Sequence, residues 1–373
     1  MRNNLKSPPR AVAALFAALT LAVSAPLAQA ANRNWTGNGG APGNWDAAGT
    51  TNWGVALAND GTDNLRFQGT KVTNNNSFSA GTTFNNIAFI NNGSGGAGTS
   101  SNANSAFNLT GNSVTLTSTG NTLSTTASTA TITDTISLNV TMSGGNVATI
   151  TTNANHNLTI AGILSNTSTS NVTKAGTANL TLSGANTYTG TTSVAAGTLL
   201  VNGSTASGAV SVASGATLGG SGTIGGATTV SSGAFLSTQN SSINTLSFGS
   251  TLVGSGATFS LDLNSSQLTA DRVAVTGAAT LTGATLSLLD LGSSILSGGE
   301  SFTLFTYSSF TGTFSNLADA GSITLGSNTF VANYGTTALT LTASAVPEPS
   351  TYAFLAGLGI LGFVVYRRRS AIG

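Results

Sequence analysis

Several residue types that soluble proteins ordinarily use are scarce in this chain, and each absence excludes a class of structure. The 373 residues include no cysteine, one histidine and 6% charged residues, whereas about 25% of the residues of an ordinary globular domain are charged. Without cysteine, no disulfide can stabilise the fold. One histidine without cysteine cannot supply the three or four ligands of a zinc site, and the sequence indicates no other metal and no cofactor.

The few charges are unevenly distributed. Six of the eleven basic residues lie in residues 1–30 or 346–373, so residues 31–345 hold five basic and nine acidic side chains. A nucleic-acid partner requires clustered lysine and arginine, so nucleic-acid binding is not expected. Disorder usually combines low hydrophobicity with high net charge, but 40% of this chain is hydrophobic. Its Val, Ile, Leu and Thr recur in short alternating runs, which predicts a folded β protein.

Residues 1–30 have the three parts of a secretory signal peptide. A basic region that contains Arg2 and Arg10 precedes the apolar run Ala11–Val23, and Ala28 and Ala30 are small residues suited to cleavage. The mature chain is therefore predicted to begin at residue 31 and to be exported through the inner membrane.

Residues 346–373 combine a short motif, an apolar segment and a basic cluster. These are the motif residues Val346, Pro347, Glu348 and Pro349, the segment Tyr352–Tyr366, and the arginines Arg367, Arg368 and Arg369. As a helix the apolar segment would rise about 22 Å, which is short for a bilayer core of about 30 Å. We therefore expect a transmembrane helix over 352–366 that serves as a transient anchor. The arginines should stay on the cytoplasmic side, which leaves the motif at the outer face of the inner membrane.

This tail resembles the PEP-CTERM sorting signal of Gram-negative-type bacteria, in which the same three parts occur in the same order. The resemblance implies that an exosortase, a membrane-embedded cysteine transpeptidase, cuts near the motif and releases the protein to the cell surface or the extracellular space. The alternative is an ordinary single-span anchor in which Pro-Glu-Pro occurs by chance.

Three copies of one unit follow each other without a gap over about Thr191–Leu236. Corresponding residues lie 18 positions apart: Val194, Val212 and Val230; Gly197, Gly215 and Gly233; and Leu200, Leu218 and Leu236. A fixed period near 20 residues with turn glycines is typical of solenoids. We therefore predict that residues 31–345 form an all-β, right-handed parallel β-helix whose clearest repeats cover residues 172–236.

Stacking explains the composition. Equivalent residues of neighbouring coils would lie about 4.8 Å apart, and aligned like charges destabilise a sheet, whereas Thr, Ser and Asn can hydrogen-bond along the stack. Coils of about 18–20 residues would give about 15 turns. The aromatic-rich stretch Ser301–Phe314 is predicted to cap the C-terminal end, and Asn91–Ser105 to form a loop.

The same region resembles the autotransporter-associated β-strand repeat of bacterial autotransporter passengers. The likeness is closest over Val172–Gly203 and extends to Asn44–Trp53, Asp271–Leu288 and Gly312–Gly321. It implies the β-solenoid fold that the period predicts.

Two features suggest chemistry that their surroundings do not support. Gly220–Gly225 matches the dinucleotide fingerprint, but it lies inside the repeat, no helix pattern follows it, and the next acidic residue is Asp262. His156 would need one particular serine and an acid to form a catalytic triad, and the serines are too many to single one out. Because Asn155 and Asn157 flank it, we interpret His156 as part of a polar face or a turn.

A glycan-cleaving enzyme on a β-helix is the alternative that requires paired carboxylates, or acids that bind calcium beside a basic residue. Asp60 and Asp63 are the closest acidic pair, and Arg66 follows three residues later. We interpret the three as turn residues with a surface ion pair, and the dipeptide Asp271-Arg272 as a coil corner. No catalytic activity is expected.

Trp35, Trp45 and Trp53 lie within nineteen residues, each directly after an asparagine. Exposed aromatic rings beside amides could stack on sugars, which would make the N-terminal region a carbohydrate-binding module. Alternatively, the three indoles plug the first open coil with a large apolar area, and capping is the favoured interpretation.

Together these features predict an exported, non-catalytic protein of the cell surface or extracellular matrix with a structural or adhesive role. Its expected partners are an exosortase, the inner membrane and exopolysaccharide, the last of which is implied by the PEP-CTERM resemblance.

Overall fold

The computed structural model describes residues 31–35, 43–45, 53, 57, 60–68, 73–90, 106–143, 145, 147–238, 242–345 and 349–370. The predicted signal peptide with Ala28 and Ala30, the predicted loop 91–105, and the motif residues Val346, Pro347 and Glu348 lie outside this part of the chain. The described residues form 36 strands and one helix, α1 (Pro349–Ser370). The prediction of an all-β fold is confirmed.

The strands are short, and most have two to five residues. In the N-terminal half they are β1 (Ala31–Trp35), β2 (Gly43–Asn44), β3 (Asp63–Phe67), β4 (Thr73–Asn76), β5 (Thr82–Phe84), β6 (Asn86–Phe89), β7 (Asn108–Gly111), β8 (Val114–Leu116), β9 (Asn121–Thr125), β10 (Ile132–Ile136), β11 (Val140–Met142), β12 (Ala148–Thr151), β13 (His156–Ile160), β14 (Leu164–Asn166), β15 (Val172–Ala175), β16 (Asn179–Leu182), β17 (Thr192–Val194) and β18 (Thr198–Val201). In the C-terminal half they are β19 (Ser204–Thr205), β20 (Val210–Val212), β21 (Thr217–Gly219), β22 (Thr223–Ile224), β23 (Thr228–Val230), β24 (Phe235–Ser237), β25 (Thr245–Phe248), β26 (Leu252–Val253), β27 (Thr258–Asn264), β28 (Thr269–Ala270), β29 (Arg272–Val275), β30 (Ala278–Thr280), β31 (Thr285–Asp290), β32 (Ser301–Thr306), β33 (Ser309–Thr311), β34 (Ser322–Leu325), β35 (Asn328–Tyr334) and β36 (Ala338–Ala343).

Strands that follow each other in sequence belong to different sheets, as the winding of a solenoid requires. Sheet A has the order β1-β3-β6-β9-β12-β15-β17-β20-β23-β26-β30-β33, and sheet B has the order β2-β4-β7-β10-β13-β16-β18-β21-β24-β27-β28 with β31 also paired to β27. Sheet C (β14-β11-β8-β5) forms the third side of early coils, and sheet D (β19-β22-β25-β29-β32-β36-β35-β34) that of later ones. Because each coil supplies one strand to each side and neighbouring coils pair in parallel, the chain forms a β-solenoid. The right-handed winding stays a prediction.

The predicted repeat register is confirmed at the valines and corrected at the leucines. Val194 pairs with Val212, which pairs with Val230. Leu218, however, pairs with Leu199 rather than with Leu200. Leu199 is buried and Leu200 half-buried, since the turn before Leu218 contains one additional residue.

Glycine supplies the corners of these coils. Gly197, Gly215 and Gly233 have φ values of 65°, 79° and 74°, a left-handed conformation that other residues adopt at a cost. At Gly197 a Cβ would also lie 2.5 Å from the Gly176 carbonyl oxygen of the neighbouring coil. The glycine period of the sequence therefore marks a turn that recurs in each coil.

The stack is shorter than the sequence predicts. Sheet A has twelve strands in the described part of the chain, which at about 4.8 Å per strand gives a length of about 53 Å, not about 15 turns. Outside the clear repeats the coils are longer than expected: Thr228 pairs with Leu252, which pairs with Ala279.

The C-terminal end of the stack changes from parallel to antiparallel pairing. β32 pairs in parallel with β29 on one side and antiparallel with β36 on the other, and β35 and β34 follow. Within the predicted aromatic cap, Phe305 and Phe314 pack on Phe259, each with a ring-centroid distance of 5.6 Å. The predicted stretch therefore covers part of the end, and the hairpin β35–β36 extends it.

Candidate functional site

The C-terminal tail forms the helix α1, whose side chains are described from Phe354 to Arg368. Proline is well suited to the first position of a helix, because the N–H there has no helical partner, and Pro349 occupies it. All described side chains of α1 are exposed, including Phe354, Ile360 and Tyr366. The tail is thus an apolar helix whose large side chains are not packed on the solenoid.

The basic end of the tail is also exposed. Arg367 and Arg368 lie on the surface, and the guanidinium carbon of Arg367 is 5.9 Å from the ring centroid of Phe363, a cation–π distance. Among the residues whose side chains are described, no helix is both long and apolar enough to cross a membrane. The helix predicted over Tyr352–Tyr366 is therefore present, but its prediction as a transmembrane segment is not supported.

The three tryptophans lie at the N-terminal end of the stack, and all are buried. The ring centroids of Trp35 and Trp53 are 5.1 Å apart, and Trp45 packs on Phe67 at 5.2 Å. Edge-to-face and tilted packing of this kind stabilises aromatic clusters. The rings are covered by one another and by Phe67, so no face of these tryptophans is available to a sugar. The alternative of glycan contact through Trp35, Trp45 and Trp53 is therefore wrong.

His156 is buried, so its interpretation as part of a polar face or turn is wrong. It begins β13, and its Nε2 lies 2.5 Å from Oδ2 of Asp134 in β10 of the neighbouring coil. Its Nδ1 lies 2.7 Å from the Thr126 carbonyl oxygen, and Oδ1 of Asp134 accepts a hydrogen bond of 2.8 Å from the Phe107 N–H. Burial raises the pKa of Asp134, while its hydrogen bond with His156 lowers it. With all these polar atoms paired, the pair joins adjacent coils inside the core.

Lys174 is a second buried charge that sequence reasoning missed. Its Nζ donates to the carbonyl oxygens of Ala175 (2.8 Å), Gly176 (2.8 Å) and Ala196 (3.0 Å). Burial lowers the pKa of Lys174 to about 8. Three carbonyls from two coils replace part of the water that the ammonium group loses, so Lys174 links two coils at a corner of the solenoid.

The sequence does contain a signal for both buried groups. Lys174 pairs with Ile150 on one side and with Val194 on the other, so it occupies a column that is otherwise filled by apolar residues. Asp134 alternates with Ile132 and Ile136, which point inward. A charged residue at an inward position of an alternating strand predicts a buried, paired charge.

The closest acidic pair of the sequence, Asp60 and Asp63, has two different surroundings in the structure. Asp60 is exposed and accepts hydrogen bonds from the Thr62 side chain (2.6 Å) and the Thr62 N–H (3.0 Å), which lower the pKa of Asp60. Asp63 is buried and its Oδ1 lies 2.7 Å from Nε of Arg33. The turn interpretation is confirmed for Asp60, but the ion pair is a partly buried one with Arg33 in the neighbouring strand and not a surface pair with Arg66.

Two other candidates are structural. Gly220–Gly225 contains the strand β22 and is followed by the strand β23, where the dinucleotide motif would need a helix. Asp271 is buried before β29 and accepts hydrogen bonds from the Thr238 hydroxyl (2.5 Å), the Asn244 N–H (2.7 Å) and the Asp262 N–H (2.7 Å). Burial is the largest influence on Asp271 and raises its pKa. The coil-corner interpretation of Asp271 agrees with these contacts.

Two family models match this chain. The passenger-associated-transport repeat matches residues 172–201, and the PEP-CTERM protein-sorting motif matches residues 345–369. No curated protein sequence gives a match. The chain therefore carries a repeat of the autotransporter passenger type and a PEP-CTERM sorting signal, and both resemblances drawn from the sequence are confirmed. Such a signal is a substrate for exosortase and marks an exported protein of the cell envelope.

Proposed function

We propose that this protein is a non-catalytic structural or adhesive rod of the cell surface or extracellular matrix, delivered there by exosortase and associated with exopolysaccharide. The observation that carries the proposal is the union of a β-solenoid with a terminal sorting motif in one chain. A stack of parallel coils is an extended and rigid shape, and the sorting motif supplies an address on the cell envelope.

The tail is proposed to hold the protein at the inner membrane only until processing. Its exposed apolar side chains, such as Phe354, Leu361 and Phe363, favour a lipid environment, because large exposed apolar surfaces are unfavourable in water. The arginines that follow favour the cytoplasmic side. Removal of this segment would leave a solenoid whose own apolar side chains are mostly buried.

A non-catalytic role is favoured by the use that the chain makes of its few ionisable groups. Asp63 pairs with Arg33, His156 with Asp134, and the carboxylate of Asp271 accepts three hydrogen bonds. Each of these groups is engaged within the fold, as a structural role requires. Ladder pairing and internal polar contacts then make the rod stiff, which suits a scaffold.

The proposal is tested by changing the motif in the native host. Replacing both Pro347 and Pro349 by alanine should leave the protein uncut and retained in the membrane fraction, since both prolines of the sorting motif would be lost. The matched control is Ser350→Ala, next to the motif, which should be processed like the unchanged protein. A double-proline variant that reaches the surface in the normal amount and with the normal C-terminus would overturn the proposal.

A further inference from the structure

The outer face of sheet B carries two neighbouring columns of small polar side chains, here called the hydroxyl face. Parallel pairing aligns them over eight strands from β10 to β31. The first column is Thr133, Asn157, Asn179, Thr198, Thr217, Phe235, Thr258 and Thr285. The second column is Thr135, Thr159, Thr181, Leu200, Gly219, Ser237, Ser260 and Ser287. Neighbours lie about 4.8 Å apart along a column, and the two columns lie about 6.6 Å apart along the strands.

Most hydroxyls of this face are not used by the protein itself. Within the described part of the chain, no hydrogen bond is made by the side-chain oxygens of Thr135, Thr159, Thr181, Thr198, Thr217, Thr258, Ser260 and Ser287. On sheet C, by contrast, the hydroxyls of Thr141 and Ser165 are 3.0 Å apart and bonded to each other. Each hydroxyl is both a donor and an acceptor, so the face presents a regular array of unused hydrogen-bonding groups.

One aromatic ring interrupts the array. Phe235 is 40% exposed, and it lies in register between Thr217 and Thr258. Its neighbour Leu236 points into the core, so the ring of Phe235 faces outward. In the described part of the solenoid, Phe235 is the one aromatic side chain in the exposed class. A single exposed apolar residue is ordinary, but a flat ring set among unused hydroxyls is the combination that a sugar ring needs.

The absence of charged side chains from the hydroxyl face indicates what kind of polysaccharide it would bind. None of the sixteen positions in its two columns carries a charged side chain. Asp134, which lies between Thr133 and Thr135 in β10, is buried and points inward. An acidic polysaccharide would find no cationic side chain here to pair with its carboxylates. A neutral polysaccharide could bind without removing water from any charged group. Because the array repeats along the solenoid axis, it fits a polymer whose own hydroxyls repeat along its length.

We propose that the hydroxyl face binds a neutral polysaccharide chain, with the ring of Phe235 stacking on a sugar and Thr217 and Thr258 donating and accepting hydrogen bonds on either side of it. This inference deepens the proposed association with exopolysaccharide and rests on it. It replaces the N-terminal tryptophans, which are buried, with a surface that is accessible. The role of Phe235 is to position a sugar ring through contact with its apolar face.

The test is affinity electrophoresis of the full-length chain in mild detergent. Native gels would contain one of three neutral probes, hydroxyethyl cellulose, glucomannan or dextran, or alginate as the acidic comparison. The unchanged protein should be retarded by at least one neutral probe. Phe235→Ala should bind that probe about tenfold more weakly, and Phe235→Trp should retain binding because a ring is restored. Val331→Ala, which removes a side chain of similar exposure (37%) from β35, is the matched control and should bind normally.

A second variant removes the hydroxyls without removing the ring. Thr217→Val with Thr258→Val keeps the shape and the β-branching of both residues, so binding should weaken while thermal unfolding stays unchanged. Equal retardation of Phe235→Ala and the unchanged protein would overturn the site. No retardation in any neutral gel, or retardation by alginate alone, would overturn the partner class. None of these results bears on processing of the motif, so failure of the sorting proposal would be seen separately in the localisation of the double-proline variant.

Discussion

Replacing Trp45 by alanine should destabilise the N-terminal coils by about 3–5 kcal/mol, the usual cost of truncating a buried aromatic residue. Trp45 is fully buried, and its ring centroid lies 5.2 Å from Phe67 and 6.3 Å from both Phe84 and Trp53. Truncation to alanine would leave a cavity at this position and remove the ring contacts that hold the first coils together. Because coils of a solenoid contact only their neighbours, the loss should be greatest at this end.

Fluorescence is the appropriate assay, because all three tryptophans of the chain belong to this cluster. The full-length chain in mild detergent would be unfolded in urea, with the red shift of the indole emission as the signal of the N-terminal end. Trp45→Ala should shift the midpoint to lower urea. Phe314→Ala is the matched control: its ring is buried at the opposite end, 5.7 Å from Phe305, so it should weaken that end and leave the tryptophan transition nearly unchanged.

Two results would refute the capping interpretation. One is an emission spectrum of exposed indole in the absence of urea, since the structure buries Trp35, Trp45 and Trp53. The other is an unchanged urea midpoint for Trp45→Ala. If hydroxyethyl cellulose shifted the indole emission of the native protein, the sugar-contact alternative would have to be restored.

Three further predictions concern the buried polar groups and the register. Burial lowers the pKa of Lys174 from 10.5 to about 8, so between these pH values the unfolded chain binds more protons than the folded chain. The free energy of unfolding should therefore rise with pH by up to about 3 kcal/mol. Urea titrations at pH 7.5 to 9.5 should begin to show this rise, and Lys174→Met should abolish it. Asp134→Asn and His156→Gln should each cost about 3–5 kcal/mol by leaving a buried group unpaired, and the double variant should cost less than the sum in the same urea assay, whereas additive costs would show that the two residues are not coupled. Leu199→Ala should cost about 2–5 kcal/mol and Leu200→Ala about 0.5 kcal/mol or less in thermal unfolding; the reverse order would restore the register predicted from sequence.

The architecture can be predicted from the sequence where residues repeat at a fixed period, but not where the repeat is absent. The valine columns and turn glycines are readable because stacking forces equivalent residues into the same environment. The shift from Leu200 to Leu199 arises from one additional residue in a turn, and an alignment without gaps hides such a change. The long coils that end at Leu252 and Ala279 have no repeated composition, so the estimate of about 15 turns was too high.

Candidate sites that are contiguous in sequence could be predicted, whereas those that depend on contacts between coils could not. The tail could be recognised because its parts are contiguous in sequence, and a family model confirms it. The partnership of His156 with Asp134, 22 residues apart, depends on the length of one particular coil, which no local pattern gives. The exposed ring of Phe235 was missed, although the repeat aligns the adjacent Leu236 with Leu218 and the structure confirms that pairing. Since neighbouring residues of a strand point to opposite faces, an inward Leu236 implies an outward Phe235.

The central claim is that this chain is a sorted solenoid whose tail is removed, and intact-mass spectrometry of the protein from its native host tests it most directly. Membrane and surface fractions would be compared for their C-terminal residues. The account predicts a surface form that ends near 346–349 and lacks residues 352–366, and a membrane form that keeps them. A surface form that retains Arg367, Arg368 and Arg369 would contradict the account, because the tail would then be a permanent anchor.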